Sequence, residues 1–145
     1  AYGACDYVDD DDRVLWTSRA GSWATTLLGF GPNLVPHPAA MMRLDAVIGV
    51  GGYDEQLSLV MDLDVLLKLR KIGPFVHTRQ TVSAFGWHPG SLTVQERQAS
   101  GARARSVKRR HLPAALRLVE PLWEYPVTWA SRLAARRLNK RANTP

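Results

Sequence analysis

Cysteine is nearly absent from this sequence, and three other common features are missing altogether. The single Cys5 excludes an internal disulfide and a metal site built from several cysteines, and it suits a reducing compartment such as the cytosol. The apolar runs are short, and none approaches the roughly 20 residues that a membrane-spanning helix needs. Neither a GxGxxG motif nor a P-loop occurs. The usual phosphate-binding opening of a nucleotide-binding α/β fold is therefore not found in this chain.

Acidic residues are scarce in the last third of the chain. Residues 97–145 carry 12 Lys and Arg but 2 Asp and Glu, whereas residues 1–96 carry 7 basic and 11 acidic residues. The net charge of +6 therefore comes from the C-terminal third. A basic segment of this kind is suited to nucleic acid, anionic lipid or another acidic surface. With 46% hydrophobic residues over 145 positions, the chain has the composition of one globular domain or a part of one.

Short β-prone runs and turn residues dominate the first 50 positions. AYGACDYV and RVLW flank four aspartates at positions 9–12, which predicts a β-hairpin. Ser22 is expected to cap a short helix that ends near Gly29. The prolines of NLVPHPAAMM favour extended backbone at a sheet edge, and RLDAVIGVGG is a short helical pattern ended by glycines.

The segment GGYDEQLSLVMDLDVLLKLRKIG, residues 51–73, contains the strongest helix pattern. Leu63, Leu66 and Leu69 recur at helical spacing, so we expect a buried helix. Acidic residues lie at its start and basic residues near its end, as the helix dipole favours, and a Gly-Pro pair follows. The next stretch, FVHTRQTVSAFGWH, predicts two short strands.

Beyond residue 93 the pattern is helical and basic, with breaks predicted at Pro113, Pro121 and Pro126. The last helix, residues 126–141, has a narrow apolar face inside a basic rim, which is compatible with an anionic membrane surface. Nucleic acid is not expected as a partner, because no aromatic residues alternate with the basic ones over residues 97–110. The predicted fold is α/β, with a mixed sheet flanked by helices over residues 1–100 and a basic helical tail over residues 101–145.

Five motifs follow one another along the first hundred residues: YGACDYVDDDDRV, NLVPHPAAMMR, GVGGYDEQL, MDLDVLLKLRKIG and WHPGSLT. In this order and spacing they resemble the C-terminal half of a family 2 glycosyltransferase domain, which has the GT-A fold. The hairpin, the GGYDE loop and the following helix resemble the family's hairpin, its GGFDE loop and the helix that carries its catalytic base. The family's Asp-x-Asp metal-binding region and the half of the fold before it have no counterpart in this sequence.

The resemblance implies roles for individual residues. Asp62 would be the catalytic base, although it also has a structural explanation as a helix N-cap. His88 would be a metal ligand, with a surface histidine as the alternative. The residues expected to bind substrate are Gly51, Gly52, Asp54, Glu55, Asp64 and Trp87. For the glycines the alternative is ending a helix, and for the two acids of the loop it is exposure to solvent.

The same resemblance implies an activity and its partners. The chain would be part of an inverting glycosyltransferase that uses a nucleotide-sugar donor and a glycan or glycolipid acceptor in bacterial polysaccharide or cell-wall assembly. A divalent metal, Mn²⁺ or Mg²⁺, would be held mainly by the missing half of the fold. We expect a cytoplasmic location, peripheral on the inner face of the membrane.

Two interpretations from other classes stay open beside it. In the first, the chain is a noncatalytic remnant or a half-enzyme that binds a partner chain, and an exposed apolar sheet edge would favour this interpretation. Alternatively it is a basic module for lipid or nucleic acid, which salt-dependent binding mapped to the tail would favour.

Overall fold

The computed structural model describes residues 1–87 and 97–142, which form a mixed α/β arrangement around a small sheet. The strands in these ranges are β1 (Tyr2–Val8), β2 (Val14–Ser18) and β3 (His77–Gly86). The α-helices are α1 (Ala24–Leu27), α2 (Leu44–Gly49), α3 (Met61–Ile72), α4 (Arg97–His111), α5 (Ala114–Val119) and α6 (Pro121–Ala142). Two short 3-10 turns lie at His37–Ala39 and Glu55–Leu57.

Strand β1 is the centre of a three-stranded sheet in the order β2-β1-β3. It pairs antiparallel with β2, which places Tyr7 opposite Trp16, and parallel with β3, which places Tyr7 opposite Phe85. In the turn between β1 and β2, Asp9 Oδ1 accepts a hydrogen bond of 3.0 Å from the N–H of Asp11. Aspartate is suited to such turns because its side chain can bond the backbone two residues on. The predicted hairpin and the predicted mixed sheet are both confirmed.

The hydrophobic core brings together the sheet, α3 and α4. Leu63, Leu66 and Leu67 of α3 cluster with Tyr2 of β1 and Val107 of α4, and each is at most 3% exposed. The leucine spacing correctly predicted a buried helix, and α3 ends directly before the Gly-Pro pair. Helix α3 is therefore a rigid element held from both sides.

The segment predicted as two short strands is one ten-residue strand, β3. Its parallel pairing with β1 runs from His77 opposite Tyr2 to Gly86 opposite Val8, so one partner holds the whole segment. Register shifts near Ala4 absorb the difference in length between the two strands. The prediction was wrong because a break needs glycine or proline, and none occurs between the two ends of the strand.

Two predictions for residues 22–40 are also wrong in detail. Helix α1 has Trp23 as its N-cap and no side-chain cap, so Ser22 does not cap it; the Ser22 carbonyl instead accepts a hydrogen bond from the Thr25 hydroxyl. The proline-rich stretch contains the 3-10 turn His37–Ala39 rather than continuous extended backbone. The φ of proline suits both conformations. The expected edge position is seen only at Ala40, which forms an isolated bridge to β1.

The helix break predicted at Pro126 is absent, because α6 runs through it. Pro121 is the first residue of α6, where its missing N–H is no loss. Inside the helix, Pro126 leaves the carbonyl of Leu122 without an intrahelical donor. Both residues are exposed, so water can bond to that carbonyl. The break predicted at Pro113 is confirmed between α4 and α5.

The basic C-terminal segment is partly folded against the rest of the chain. On α4, Lys108 is 6% exposed and its Nζ donates to Glu124 at 2.8 Å. Arg105 and Arg109 both donate to Glu120, at 2.6 and 3.1 Å. The two acidic residues of this segment are thus both bound by α4 cations. The predicted domain boundary at residue 100 falls within α4, whose later residues reach the core.

Helix α6 is 22 residues long and exposes large side chains along its first half. Leu122, Tyr125 and Trp129 are 76%, 66% and 67% exposed. Across the described ranges, no helix combines the length and the apolar character needed to cross a bilayer.

Candidate active site at the start of helix α3

Asp62 is the second residue of α3 and is half-buried. Its Oδ1 accepts a hydrogen bond of 2.8 Å from the N–H of Leu63. The N-cap residue is Val60, which provides no side-chain cap, so the interpretation of Asp62 as the N-cap is wrong. The carboxylate still suits the first turn, where the helix dipole favours negative charge. Its other oxygen has no hydrogen-bond partner among the described residues.

A cluster of aromatic rings lies at the carboxyl ends of β1 and β3. The Tyr7 ring stacks on Trp16, with centroids 4.2 Å apart, and lies 5.6 Å from Phe85 and 5.9 Å from Trp87. The sheet register produces the first two contacts. The N–H of Trp87 donates to the carbonyl of Val8 at 2.7 Å, which extends the pairing one residue past β3 and brings the indole to the Tyr7 edge.

The charge of Asp62 reaches two tyrosines. Burial raises the pKa of Tyr7 to about 12, with smaller contributions from Cys5 and Asp62. Burial raises the pKa of Tyr53 as well, and Asp62 again adds to the shift. Both phenols therefore stay protonated at neutral pH and remain hydrogen-bond donors. One residue of the aromatic cluster and one residue of the GGYDE loop thus lie within electrostatic reach of the same carboxylate.

Tyr53 also connects the GGYDE loop to the proline-rich segment. Its hydroxyl lies 3.1 Å from His37 Nε2, and the two rings are stacked with centroids 5.9 Å apart. Neither Tyr7 nor Tyr53 is among the site residues that the sequence predicts. Tyr53 lies inside the GGYDE motif, so the motif could have indicated Tyr53 as a site residue. The proximity of Tyr7 to Asp62 depends on tertiary structure and had no local signal.

The two glycines of the GGYDE loop have positive φ, 88° for Gly51 and 69° for Gly52, as expected for residues that end a helix. Their N–H groups donate to carbonyls of α2, so neither N–H is free to bind a diphosphate. Asp54 accepts the N–H of Gln56 at 3.0 Å and caps a 3-10 turn. Glu55 is exposed, and its carboxylate has no hydrogen-bond partner in the described ranges. Substrate binding by these four residues stays a prediction, with Glu55 the most available for it.

Asp64 lies in the contact between α3 and α4. Its two oxygens lie 2.7 Å from His111 Nε2 and 2.8 Å from Lys68 Nζ. Burial alone would raise the pKa of Asp64, but the hydrogen bonds from these two groups outweigh it, and the pKa is lowered. Lys68 Nζ also donates to the carbonyl of Gly52 at 3.3 Å. Asp64 therefore supports the GGYDE loop through Lys68, while its predicted contact with substrate stays a prediction.

The expected metal ligand, His88, lies outside the described residues. Within the ranges that the structure does describe, no three His, Cys, Asp or Glu side chains are grouped to hold a metal ion. The four aspartates at positions 9–12 form the β1–β2 turn, where Asp9 bonds backbone N–H groups and Asp11 pairs with Arg13 at 3.9 Å. Metal binding by His88 and by the half of the fold that the resemblance does not cover stays a prediction.

Comparisons with protein-family models, with curated proteins and with solved structures find no match to this chain.

Proposed function

We propose that this chain is the acceptor-binding half of an inverting glycosyltransferase of the family 2, GT-A type. The enzyme would transfer a sugar from a nucleotide-sugar donor to a glycan or glycolipid acceptor in bacterial polysaccharide or cell-wall assembly. The observation that carries the proposal is the Asp62 carboxylate at the start of α3, within electrostatic reach of Tyr7, which forms an aromatic cluster with Trp16, Phe85 and Trp87. The motif order of the first hundred residues supports it independently.

The chemistry of sugars explains why this arrangement suits an acceptor. A sugar ring has an apolar C–H face that packs on an aromatic ring, while its hydroxyls bond to carboxylates and phenols. Trp87 lies at the end of the cluster, and Asp62 and Tyr53 would supply the polar groups of the site. Binding sites of this kind combine an apolar wall with a few placed polar groups.

In this proposal Asp62 acts as the general base. It takes the proton of an acceptor hydroxyl while that oxygen forms a bond to the anomeric carbon of the donor, and the bond from that carbon to the nucleoside diphosphate breaks. Such a base must come within about 2.6–3.2 Å of the hydroxyl oxygen. Because Asp62 is on a rigid helix and one of its oxygens is anchored to the Leu63 N–H, the direction of the other oxygen is fixed.

The donor site and its divalent metal belong, in this proposal, to the half of the fold that the resemblance does not cover. His88 would contribute one ligand. The proposed location is the inner face of the cytoplasmic membrane, where a glycolipid acceptor would be available.

The test is acceptor binding by the chain itself, since binding needs no donor site. We expect saturation-transfer NMR with a panel of bacterial cell-wall oligosaccharides to identify a bound glycan. Trp87→Ala should weaken that binding about tenfold, because it removes a stacking surface. The matched control is Trp129→Ala, an exposed tryptophan on α6. No binding from any oligosaccharide, or equal losses in both variants, would contradict the proposal.

A second candidate, a half-enzyme completed by a partner chain, is favoured by the exposed edge of β3. This ten-residue strand pairs on one side with β1, and Val82 and the adjoining Val76 are 53% and 68% exposed. A long exposed edge strand offers unpaired backbone groups to another strand. The DNA immediately upstream distinguishes the two: a separate reading frame with a strand followed by Asp-x-Asp supports a two-chain enzyme, and the same motif in the same frame supports a single longer chain.

A further inference from the structure

A second cleft lies at the far end of the sheet from the aromatic cluster. It has a volume of about 510 Å³ and is formed by the start of β3 and the segment that follows β2. His77, which lines it, pairs with Tyr2, whereas Phe85 pairs with Tyr7 near the other end of β1. At about 3.3 Å per residue, the five steps from Tyr2 to Tyr7 separate the two regions by roughly 16 Å along the strand.

The side chains of this cleft carry positive charge without a compensating acid. Arg19 and Arg79 face it from the two segments, and neither has an ion pair or hydrogen bond to any residue in the described ranges. His77 also lines the cleft, half-buried, with its ring 6.0 Å from that of Tyr2. No Asp or Glu is among the described lining residues. A cleft lined by one sign of charge concentrates ions of the other sign.

The wall of the cleft is an exposed indole. Trp23 is 54% exposed and follows Gly21 and Ser22, which also line the cleft. A Cβ at Gly21 would lie 3.0 Å from Trp23 Nε1, so glycine lets the indole rest against the backbone there. An exposed tryptophan next to two free arginines offers a flat apolar surface beside a site for an anion.

We propose that this cleft binds a diphosphate ester, with Arg19 and Arg79 bonding the phosphate oxygens and Trp23 contacting the attached organic group. Guanidinium groups form paired hydrogen bonds to phosphate oxygens, and a diphosphate presents enough oxygens for two of them. A volume of about 510 Å³ exceeds what two phosphates fill, which leaves room for the attached group. The site is independent of Asp62 and of the proposed sugar transfer.

The first test is calorimetry with inorganic pyrophosphate on the full chain. We expect binding that weakens at least tenfold in Arg19→Gln/Arg79→Gln, because both charged partners are removed. The control is Arg13→Gln/Arg43→Gln, which removes the same charge from two arginines that are about 80% exposed and lie outside the cleft. Near-equal losses in the two double variants, or no binding by the unchanged chain at about 10 mM pyrophosphate, would overturn the proposal. An unchanged midpoint of thermal unfolding in each variant shows that the fold is intact.

The second test distinguishes the sources of the diphosphate. Uridine diphosphate and geranyl diphosphate are compared with pyrophosphate in the unchanged chain and in Trp23→Ala. The proposal is supported if one ester binds more tightly than pyrophosphate and if Trp23→Ala removes this extra affinity while pyrophosphate binding is kept. The ester that binds more tightly then identifies a nucleotide or a lipid source. If both esters bind no better than pyrophosphate, or Trp23→Ala changes neither, the part of the proposal that concerns the organic group is wrong.

Discussion

Asp64 on α3 and His111 on α4 are joined by a hydrogen bond of 2.7 Å between Oδ1 and Nε2. Because a carboxylate only accepts, Nε2 carries the hydrogen. The other ring nitrogen of His111 is buried and has no hydrogen-bond partner among the described residues. The pair joins α4 to α3, the helix that carries Asp62, and through Lys68 it also reaches the GGYDE loop.

Removing Asp64 should therefore destabilise the whole fold. Asp64→Ala leaves Lys68 and His111, which are both largely buried, without the acceptor that they share. Loss of one partner from a buried ionic group lowers the free energy of unfolding by about 3 kcal/mol. We expect urea unfolding to show a lowered midpoint with an unchanged slope. The control is Asp45→Ala, an exposed first-turn aspartate of α2, which should leave the midpoint almost unchanged. Equal midpoints for the two variants would contradict this role of Asp64.

The same carboxylate predicts how stability depends on pH. The pKa of Asp64 is lowered in the folded chain, so between the ordinary pKa near 4 and the folded value the unfolded state binds more protons. The contribution of Asp64 is therefore fully present above about pH 4 and is lost as pH falls through the folded pKa. Hydrogen bonds from Arg105 lower the pKa of Glu120 in the same direction. The midpoint of thermal unfolding, measured from pH 6 to pH 2, should fall as this contribution is lost. In Asp64→Ala the midpoint should depend less on pH.

The extent to which the sequence predicts this fold depends on how local each feature is. The leucine spacing of α3 and the aspartate turn between β1 and β2 are local, and both were predicted. The partner of Asp64 lies 47 residues away, and no pattern links the two positions. The aromatic cluster depends on sheet register in the same way, because Tyr7 meets Phe85 only after β1 and β3 pair. Asp62 and Trp87 were selected through the motifs, whereas Tyr7 and Arg19 required the tertiary structure.

Asp62→Asn should abolish sugar transfer in a complete enzyme or a reconstituted complex while leaving the fold intact. The amide oxygen of asparagine can still accept the Leu63 N–H, but it cannot take the acceptor proton. Loss of a general base costs roughly 10²–10⁴ in rate. Asp45→Asn is a matched control, because Asp45 is also the second residue of its helix and accepts the next N–H, that of Ala46, at 2.9 Å. An active Asp62→Asn enzyme would leave this residue with a structural role alone.

This chain alone should show no measurable sugar transfer. The proposed donor and metal sites belong to the half of the fold that the motif resemblance does not cover, and metal and donor contacts supply much of the transition-state stabilisation. The measurement is donor hydrolysis and transfer by the purified chain with Mn²⁺, across several nucleotide sugars. Robust turnover would contradict the proposed division and would assign a metal-binding role to the aspartates at positions 9–12.

Helix α6 should bind anionic membranes. Each Lys or Arg near such a surface contributes about 1 kcal/mol, and the attraction decays within a Debye length. The sequence places five basic residues after Trp129, and Tyr125 and Trp129 are exposed on the described part of the helix. We expect co-sedimentation with phosphatidylglycerol vesicles at low salt, release as salt rises, and poor binding to phosphatidylcholine vesicles, because the apolar face is narrow.

Truncation after Glu124 is the sharpest test of this interaction. It removes the basic end of α6 and Trp129 but keeps the buried pair between Lys108 and Glu124 and the contacts of Glu120 with α4, so the fold should survive. Trp129→Ala, which removes one interfacial anchor and no charge, should weaken binding less than the truncation does. Thermal unfolding of both variants shows that any loss of binding is local. Unchanged vesicle binding after truncation would mean that the attraction comes from the remaining cations of α4. If the full chain does not bind anionic vesicles at low salt, a membrane role for α6 is excluded.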